Sequence, residues 1–194
     1  MEIIGLTGSI GMGKSLTASM LKALGIPVFD SDACVHSLLS GQAREQICHK
    51  FPVIWDKTSQ TIDKKLLGEI IFADSKAKDE LEAILHPMVW EAQQKFISKA
   101  KRAGKRRVIL DIPLLFETGR HNICDKVICV TAPYFVEKQR VLSRKNMTFN
   151  KFKAILNSQM PDKDKQKLSD IVIPTGLGRR ATITYLKKAL KIGD

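Results

Sequence analysis

The sequence predicts an α/β protein in which a parallel, doubly wound sheet carries an inserted helical subdomain. Five short apolar runs alternate with segments of helical spacing, a pattern typical of buried parallel strands joined by helices. Between the second and third runs the chain is mainly helical from about residue 33 to 103, which is too long for a simple crossover. We therefore expect one domain over residues 1–194, with a core at about 1–32 and 105–194 and a helical insert at about 33–104.

The first elements are predicted to be a strand, a helix and a second strand. Glu2–Leu6 is a short apolar run, a glycine-rich turn follows it, and Ser15–Leu24 has the spacing of a helix. Ile26–Phe29 is the second predicted strand, and it ends at Asp30.

The helical stretch is predicted to contain three breaks. They fall near Ser40-Gly41, near residues 51–61 and at His86-Pro87. Proline lacks a backbone N–H, so a new long helix is expected to begin at Met88 and to run to Ala103.

The second half of the chain returns to alternating strands and helices. Runs rich in β-branched residues predict strands at Val108–Asp111, Val127–Thr131 and Ile171–Ile173. Helical spacing predicts helices at about 134–144, 149–160 and 181–192, with a lysine-rich segment after the second of them.

Positive charge is concentrated in the second half of the chain. Residues 1–90 contain 9 Lys and Arg against 11 Asp and Glu, whereas residues 91–194 contain 23 against 9. A basic half indicates an anionic partner, which is a phosphorylated metabolite, a nucleic acid or a membrane surface. Only 6% of the residues are aromatic and no stacking motif stands out, which argues against a nucleic acid.

Several features predict a cytoplasmic protein with no membrane partner. No apolar run approaches the ~18 residues that a membrane span requires, and the N-terminus lacks the regions of a secretory signal. The four cysteines form no CxxC pair and have no metal-ligand spacing with the histidines, which indicates free thiols in a reducing compartment. We expect a monomer or a weak homo-oligomer.

The strongest motif is Gly8-Ser9-Ile10-Gly11-Met12-Gly13-Lys14-Ser15, which fits the phosphate-loop pattern GxxxxGK[ST] between a strand and a helix. Glycines allow backbone N–H groups to turn onto phosphate oxygens, and the helix N-terminus adds a positive dipole end. Lys14 places a charge at the β- and γ-phosphates, and the Ser15 hydroxyl can ligate Mg²⁺. The motif therefore predicts a site for a nucleoside triphosphate and Mg²⁺.

Other motifs separate the classes of nucleotide-binding protein. A GTPase requires a DxxG switch and an [NT]KxD base-reading motif, and the chain contains neither. Leu39-Ser40-Gly41-Gln42 resembles a shortened transporter-ATPase signature, but it lies only 24 residues after Ser15, and Asp111 is not followed by a catalytic Glu. We interpret that segment as the end of a helix, which leaves a small-molecule kinase.

An aspartate pair, Asp30-Ser31-Asp32, follows the second predicted strand. The carboxyl ends of parallel strands face one crevice, which the phosphate loop also faces. A carboxylate there can accept the proton of an acceptor hydroxyl or orient that hydroxyl toward the γ-phosphate. Either aspartate can instead cap the next helix, so catalysis and capping both stay open at this point.

Together these segments resemble the dephospho-CoA kinase family. The shared landmarks, in the family's order from residue 2 to about 190, are GLTGSIGMGKS, VFDSDACVH, Leu85-His86-Pro87, PLLFE at 113–117, Gln139-Arg140 with Arg144, and Gln159-Met160-Pro161. The phosphate loop alone is generic, whereas the aspartate pair, the His-Pro pair and PLLFE are diagnostic in combination. A kinase for shikimate, gluconate or a nucleotide would carry a different helical insert, and the His-Pro pair and PLLFE argue against it.

The resemblance implies a P-loop kinase fold in which the helical insert binds the acceptor and residues of about 140–150 form a lid. It implies transfer of the ATP γ-phosphate to the ribose 3′-hydroxyl of dephospho-CoA, which gives coenzyme A and ADP in the final step of CoA biosynthesis. The small molecules expected at the site are therefore ATP, Mg²⁺ and dephospho-CoA.

The resemblance also implies roles for individual residues. Asp32 is the expected catalytic base, and Arg140 and Arg144 are expected on one face of a lid helix, where they close over the phosphates together with Lys14. The expected ATP-binding residues are Gly8, Gly11, Met12, Gly13, Lys14, Ser15 and Leu16. The expected substrate-binding residues are Asp32, His36, His86, Leu115 and Glu117. The expected metal-binding residues are Ser15, from the phosphate-loop motif, and Asp111. Asp111 is expected from its position and not from the resemblance, because it ends a hydrophobic strand, the usual place for an acid that holds Mg²⁺ through water, and the family pattern does not require an acid there. Pro174-Thr175 departs from the asparagine usual in the family, which leaves the adenine contacts open.

Overall fold

A computed structural model describes residues 1–56 and 59–192 of the chain. The chain divides into two compact units, one made of Met1–Phe29 with the chain from Ala100 onward and the other made of Asp30–Lys99. We name them the core unit and the helical unit and describe each by itself. That the helical unit binds the acceptor stays a prediction.

Seven strands lie in the described part of the chain, and five of them form one parallel sheet. In chain order they are β1 (Glu2–Thr7), β2 (Val28–Asp30), β3 (Trp55–Asp56), β4 (Thr61–Ile62), β5 (Arg107–Asp111), β6 (Lys126–Thr131) and β7 (Ile171–Pro174). The sheet has the order β2-β5-β1-β6-β7. The central strand β1 pairs in parallel with β5, where Ile4 is opposite Ile109, and with β6, where Leu6 is opposite Ile128. This order confirms the predicted α/β fold with a parallel, doubly wound sheet.

Nine α-helices lie within residues 1–56 and 59–192. They are α1 (Lys14–Ala23), α2 (Ser31–Ser40), α3 (Arg44–Lys50), α4 (Lys64–Ala73), α5 (Ser75–Arg102), α6 (Tyr134–Leu142), α7 (Phe149–Asn157), α8 (Asp162–Lys167) and α9 (Arg179–Leu190). Short 3₁₀ turns follow α3, at Pro52–Ile54, and precede β6, at Arg120–Ile123.

The central strands are buried without interruption. Four consecutive residues of β1, β5 and β6 are buried in each case. Because successive side chains of a strand point to opposite faces, unbroken burial means that both faces of the sheet are covered. Leu21 of α1 and Leu186 of α9 belong to the same buried cluster as Ile4 and Ile128. Three of the five apolar runs of the sequence are therefore the inner strands of this sheet, and the other two are its edge strands β2 and β7.

One long helix replaces the break predicted at His86-Pro87. The helix α5 runs from Ser75 to Arg102 with Pro87 inside it, so the prediction of a helix that begins at Met88 is wrong. A proline within a helix costs about 3 kcal/mol. Leu81, Leu85 and Val89 recur every four residues and are all buried. This apolar stripe offsets the cost, because tertiary packing stabilises helices more than local propensity does.

A short hairpin lies where the sequence predicts only a break. Trp55 of β3 pairs with Ile62 of β4 in an antiparallel register. Two residues per strand are too few for the alternation that identifies strands in a sequence. The hairpin was missed for that reason.

The segment between β6 and β7 also differs from its prediction. The helix α6 ends at Leu142, so Arg144 lies in the turn after the helix and not on a helix face. The helix α8 (DKDKQK) was predicted only as a lysine-rich segment. It has no apolar stripe. Both of its acidic residues stand in the first turn and two of its three lysines in the last, where they complement the helix dipole.

Two further expectations concern cysteines and membrane spans. All four cysteines are free thiols, as predicted. Burial raises the pKa of Cys129 to about 12 and that of Cys124 to about 11. At neutral pH these two side chains are therefore thiols and poor nucleophiles. Within the described residues, no helix combines the length and apolarity that a membrane crossing requires.

Candidate active site

The phosphate loop joins the end of β1 to the start of α1 in the core unit. Gly11 (φ 78°) and Gly13 (φ 89°) both adopt left-handed backbone conformations, which favour glycine. A Cβ atom on Gly11 would lie 2.6 Å from Val141 Cγ2 and 3.0 Å from the carbonyl oxygen of Glu137. Glycine at this position therefore allows α6 to lie directly against the loop.

Lys14 is the first residue of α1, and its ammonium group lies 2.7 Å from Asp111 Oδ1 at the end of β5. The side chains are 15% and 4% exposed, respectively, so the pair is largely shielded from water. A shielded ion pair is less screened than a surface pair. Asp111 therefore fixes the ammonium group at the N-terminus of α1, where a positive charge and the helix dipole act together on an anion.

Arg140 is tied to the phosphate loop and to the segment after β7. Its guanidinium donates hydrogen bonds to the Gly11 carbonyl oxygen (3.3 Å), to Thr175 Oγ1 (3.0 Å) and to the Thr175 carbonyl oxygen (2.8 Å). Thr175 Oγ1 in turn donates to the Met12 carbonyl oxygen at 2.7 Å. These bonds connect the loop, α6 and the end of β7 at one point.

Two more contacts hold the loop from other directions. The backbone N–H of Ile10 donates to Gln159 Oε1 at 3.1 Å. The backbone N–H of Ala132 points at Met12 Sδ at 3.1 Å, and Met12 is buried. Met12 thus packs under the loop, whereas Ser15 and Leu16, the next two residues of α1 after Lys14, are exposed.

Glu117, the last residue of PLLFE, is held by a buried lysine. Its Oε1 lies 2.8 Å from Lys165 Nζ and accepts a hydrogen bond from the Met160 N–H at 2.9 Å. Burial raises the pKa of Glu117, but the ion pair with Lys165 and the backbone hydrogen bonds outweigh that effect and lower the pKa below its usual value. Glu117 is therefore a carboxylate at neutral pH. Leu115, in the same segment, is completely buried and packs against Gly5.

A second acid, Glu137 of α6, lies beneath the loop. It is 3% exposed, and its Oε1 has no hydrogen-bond partner among residues 1–56 and 59–192. Burial, with a smaller contribution from the negative charge of Asp162, raises the pKa of Glu137 to about 7. Near neutral pH this side chain changes charge directly under Gly11.

The helical unit carries the aspartate pair at the start of α2. Asp30 is the N-cap, and its Oδ1 accepts a hydrogen bond from the Ala33 N–H at 2.9 Å. Asp32 lies in the first turn, is exposed and has no part in that cap. Of the two alternatives left open by the sequence, the capping role falls to Asp30.

Two predicted histidines lie on exposed positions of the helical unit. His36 is four residues after Asp32 in α2, on the same side of the helix, and its Nδ1 lies 3.0 Å from Lys64 Nζ. His86 is exposed within α5.

The predicted residues therefore fall into two groups. The core unit brings together the loop, Lys14, Asp111 and Arg140, while Arg144 is exposed in the turn after α6. The helical unit carries the expected base and the histidines, which are listed as Asp32, His36 and His86.

Sequence reasoning missed three residues that support the loop or the PLLFE segment. They are Thr175, Gln159 and Lys165. Gln159 belongs to a family landmark but received no role, and Lys165 lies in a charged stretch that resembles a solvated surface. In the sequence, Thr175 stands out only as a departure from the family pattern, and this departure was the signal that could have identified it.

Comparison with known proteins gives a consistent result. A family model described as dephospho-CoA kinase matches residues 2–177. A dephospho-CoA kinase of Mesorhizobium japonicum is 46% identical over 181 residues, which cover 93% of this chain and 91% of that protein.

Solved structures agree with this match. A crystal structure of a Thermus thermophilus protein has a TM-score of 0.86 at 30% identity and covers 98% of this chain and 96% of that one. The structure of a dephospho-CoA kinase from Campylobacter jejuni has a TM-score of 0.67 at 26% identity and also covers 98% and 96% of the two chains.

Proposed function

The chain belongs to the dephospho-CoA kinase family, and from that premise we propose which of its residues carry out the reaction. Members of the family use ATP to phosphorylate dephospho-CoA, the final step of CoA biosynthesis, and this chain is such a kinase. We propose roles for individual residues, a site for a metal ion, and the partners of the chain. The observation that carries them is the arrangement of Lys14, Asp111 and Arg140 around a glycine-rich loop at a helix N-terminus.

We propose that the loop residues bind the ATP phosphates. Gly8, Gly11, Gly13 and the start of α1 offer backbone N–H groups, and the Lys14 ammonium group adds a charge at the β- and γ-phosphates. Met12 holds the loop in place for ATP binding, because its buried side chain packs against the Ala132 N–H. Leu16 follows Ser15 in the first turn of α1, and its side chain is exposed. We propose that Leu16 contributes to ATP binding through this position in the helix.

Ser15 and Asp111 are suited to hold Mg²⁺ beside the phosphates. Mg²⁺ takes oxygen ligands, keeps several waters and is commonly bound by one or two carboxylates together with substrate phosphates. A hydroxyl in the first turn of α1 and a carboxylate fixed by Lys14 provide that donor set. The ion, when bound, neutralises charge that develops on the phosphate oxygens.

Asp32 is the proposed general base. It is exposed and free of the cap that occupies Asp30. A carboxylate can accept the proton of the ribose 3′-hydroxyl as that oxygen attacks the γ-phosphorus. His36, on the same side of α2, and His86 of α5 are proposed to contact the acceptor.

Glu117 and Leu115 are proposed to shape the acceptor pocket from the PLLFE segment. Glu117 is a fixed carboxylate, and buried Leu115 anchors the segment to β1 through Gly5. Arg140 is proposed to contact the phosphates from its place on the loop. Arg144, in the exposed turn after α6, is proposed to close over them as part of a lid at residues 140–150.

The remaining proposals concern partners and location. Two polyphosphate substrates account for the basic half of the chain, so we propose no nucleic-acid partner. Titration with oligonucleotides at physiological salt tests this, with no binding as the expected result. We further propose that the protein is a monomer or a weak homo-oligomer. We also propose that it acts in the cytoplasm, because four free thiols are typical of a reducing compartment.

An ADP-release assay with a panel of acceptors tests the assignment. Dephospho-CoA is expected to support turnover, whereas shikimate, gluconate and nucleosides are not. Turnover with shikimate or gluconate in preference to dephospho-CoA would contradict the proposal. Enzyme with Lys14→Ala serves as the control for contaminating kinases.

A further inference from the structure

Thr175 lies at the point where the phosphate loop, α6 and the end of β7 meet. Its hydroxyl accepts a hydrogen bond from Arg140 at 3.0 Å and donates one to the Met12 carbonyl oxygen at 2.7 Å. Its backbone N–H donates to the Thr131 carbonyl oxygen at 2.8 Å, so β6 fixes its main chain. The residue is only 3% exposed.

The Thr175 hydroxyl therefore acts both as a hydrogen-bond acceptor and as a donor. A hydroxyl offers one donor and two acceptor positions, and here it both receives the guanidinium and satisfies a buried carbonyl group. Arg140 also donates to the Thr175 and Gly11 carbonyl oxygens. A guanidinium presents its donors in a rigid planar fork, so these bonds set its orientation as well as its position.

We propose that Thr175 is a positioning residue of the kinase, which holds Arg140 and the Met12–Gly13 backbone in the geometry required for phosphoryl transfer. We name Thr175, Arg140 and the two loop carbonyl groups the latch. The latch consists only of groups of the chain itself, which suits it to preorganise Arg140 for the transition state. This inference rests on the proposed role of Arg140 at the phosphates.

The close contact with Gly13 makes the position of Thr175 sensitive to substitution. A Cβ atom on Gly13 would lie 3.0 Å from Thr175 Oγ1, so the loop backbone passes directly over the hydroxyl. A valine at 175 would put a methyl group where contacts of 2.7 and 3.0 Å now exist. Carbon atoms require about 3.5 Å or more, so valine would displace both the guanidinium and the loop.

The chain provides a matched control in Thr182 of α9. This residue is 1% exposed, and its hydroxyl donates to the Gly178 carbonyl oxygen at 2.9 Å. Thr182→Val thus removes a buried hydroxyl of the same type from the same region, and the two carbonyl oxygens near this hydroxyl, those of Gly178 and Pro174, belong neither to the loop nor to Arg140. Thr175→Ser keeps the hydroxyl and removes only a methyl group.

A double-mutant cycle tests the proposal with Thr175→Val, Arg140→Ala and the combination of both. We expect Thr175→Val to lower kcat at least about tenfold, because one lost buried hydrogen bond has about that effect and valine removes two. The KM for ATP should change less than kcat, and Thr175→Ser should restore most of the loss. In the Arg140→Ala background, Thr175→Val should lower kcat clearly less than it does in the wild type, because only its effect on the Met12–Gly13 backbone remains.

Several results would overturn the proposal. These are additive losses in the cycle, a kcat loss from Thr182→Val as large as that from Thr175→Val, or no rescue by serine. Circular dichroism and thermal unfolding establish that each variant folds, and Thr175→Ala replaces the valine if that variant does not. Inactivity of the wild type on dephospho-CoA would instead contradict the proposed function. In that case the same cycle, measured on the Kd for ATP, tests the latch. We expect the effects of the two substitutions on Kd to be non-additive, and additive effects would overturn the proposal.

Discussion

Lys14 combines two roles that the sequence could not separate. Its ammonium group is proposed to bind the phosphates, and it is also the partner of Asp111, which is only 4% exposed. The sequence predicts an exposed lysine whose loss leaves the fold intact, whereas the side chain is largely buried. We therefore expect removal of Lys14 to affect both ATP binding and the stability of the fold.

Lys14→Ala is expected to lower ATP affinity and turnover strongly. It is also expected to lower the free energy of unfolding by about 1–3 kcal/mol, because a shielded carboxylate loses one of its partners. Calorimetric titration with ATP, turnover assays and thermal unfolding measure the three effects. Unchanged turnover in a folded Lys14→Ala variant would contradict the assignment.

Asp32 and Asp30 can be separated by one pair of substitutions. Asp32→Asn is expected to lower kcat by about 10²–10⁴ with little change in the KM for the acceptor, because the base acts in the transition state. Asp30→Asn is the matched control, since asparagine caps a helix as well as aspartate does. Steady-state kinetics decide the matter, and a larger kcat loss from Asp30→Asn would mean that the two roles are exchanged.

Glu137 predicts a pH-dependent stability. Its pKa is about 7 in the folded protein against 4.5 when unperturbed, so the folded state holds a proton that the unfolded state releases. Its contribution to stability is therefore complete below pH 4.5 and declines as the pH rises through 7, by about 3 kcal/mol at most. Glu137→Gln removes the titrating group, so the variant should gain stability relative to wild type between pH 5 and 8. Denaturant unfolding of both proteins at pH 5 and at pH 8 checks this. The same difference in unfolding free energy between variant and wild type at the two pH values would refute it.

At the scale of elements, the segment between α6 and α7 is the candidate lid. Arg144 is exposed after the end of α6, and Asn146 has a left-handed backbone (φ 63°) in the turn that follows. Closure of such a segment over bound nucleotide would exclude water and bring Arg144 to the phosphates.

Arg144→Lys tests that closure without a change of charge. Lysine lacks the planar fork, so kcat is expected to fall at least as strongly as the KM for ATP rises. Lys145→Arg, at the neighbouring exposed position, is the control and should have little effect. In the wild type, residues 140–150 should lose protease sensitivity when ATP and dephospho-CoA are both bound. Near wild-type kcat in Arg144→Lys, or equal cleavage with and without ligands, would mean that Arg144 is only a solvated surface residue.

The elements that the sequence predicted well are those that follow local rules. The strands β1, β5 and β6 are continuous apolar runs because both their faces are buried, and the phosphate loop is a contiguous motif. The latch was not predictable, because Arg140 and Thr175 are 35 residues apart and meet only through the fold. The unbroken helix at Pro87 was missed for a related reason, since the packing that offsets the proline is tertiary.

At the scale of the whole molecule, charge and chemistry agree. The core unit contains the phosphate loop and most of the basic second half of the chain, from Ala100 onward, and the helical unit carries the proposed base. A kinase that takes two polyphosphate substrates requires positive charge near its loop, so a nucleic-acid partner is not needed to explain the net charge of +12.

The central claim is that this chain transfers the γ-phosphate of ATP to the ribose 3′-hydroxyl of dephospho-CoA. The most direct test is phosphorus NMR of a reaction that contains purified protein, ATP, Mg²⁺ and dephospho-CoA. The expected result is a new 3′-phosphomonoester signal that grows in equal amount with ADP, identical to that of authentic coenzyme A. ADP release without that signal, or a phosphate on any other position of dephospho-CoA, would contradict the claim.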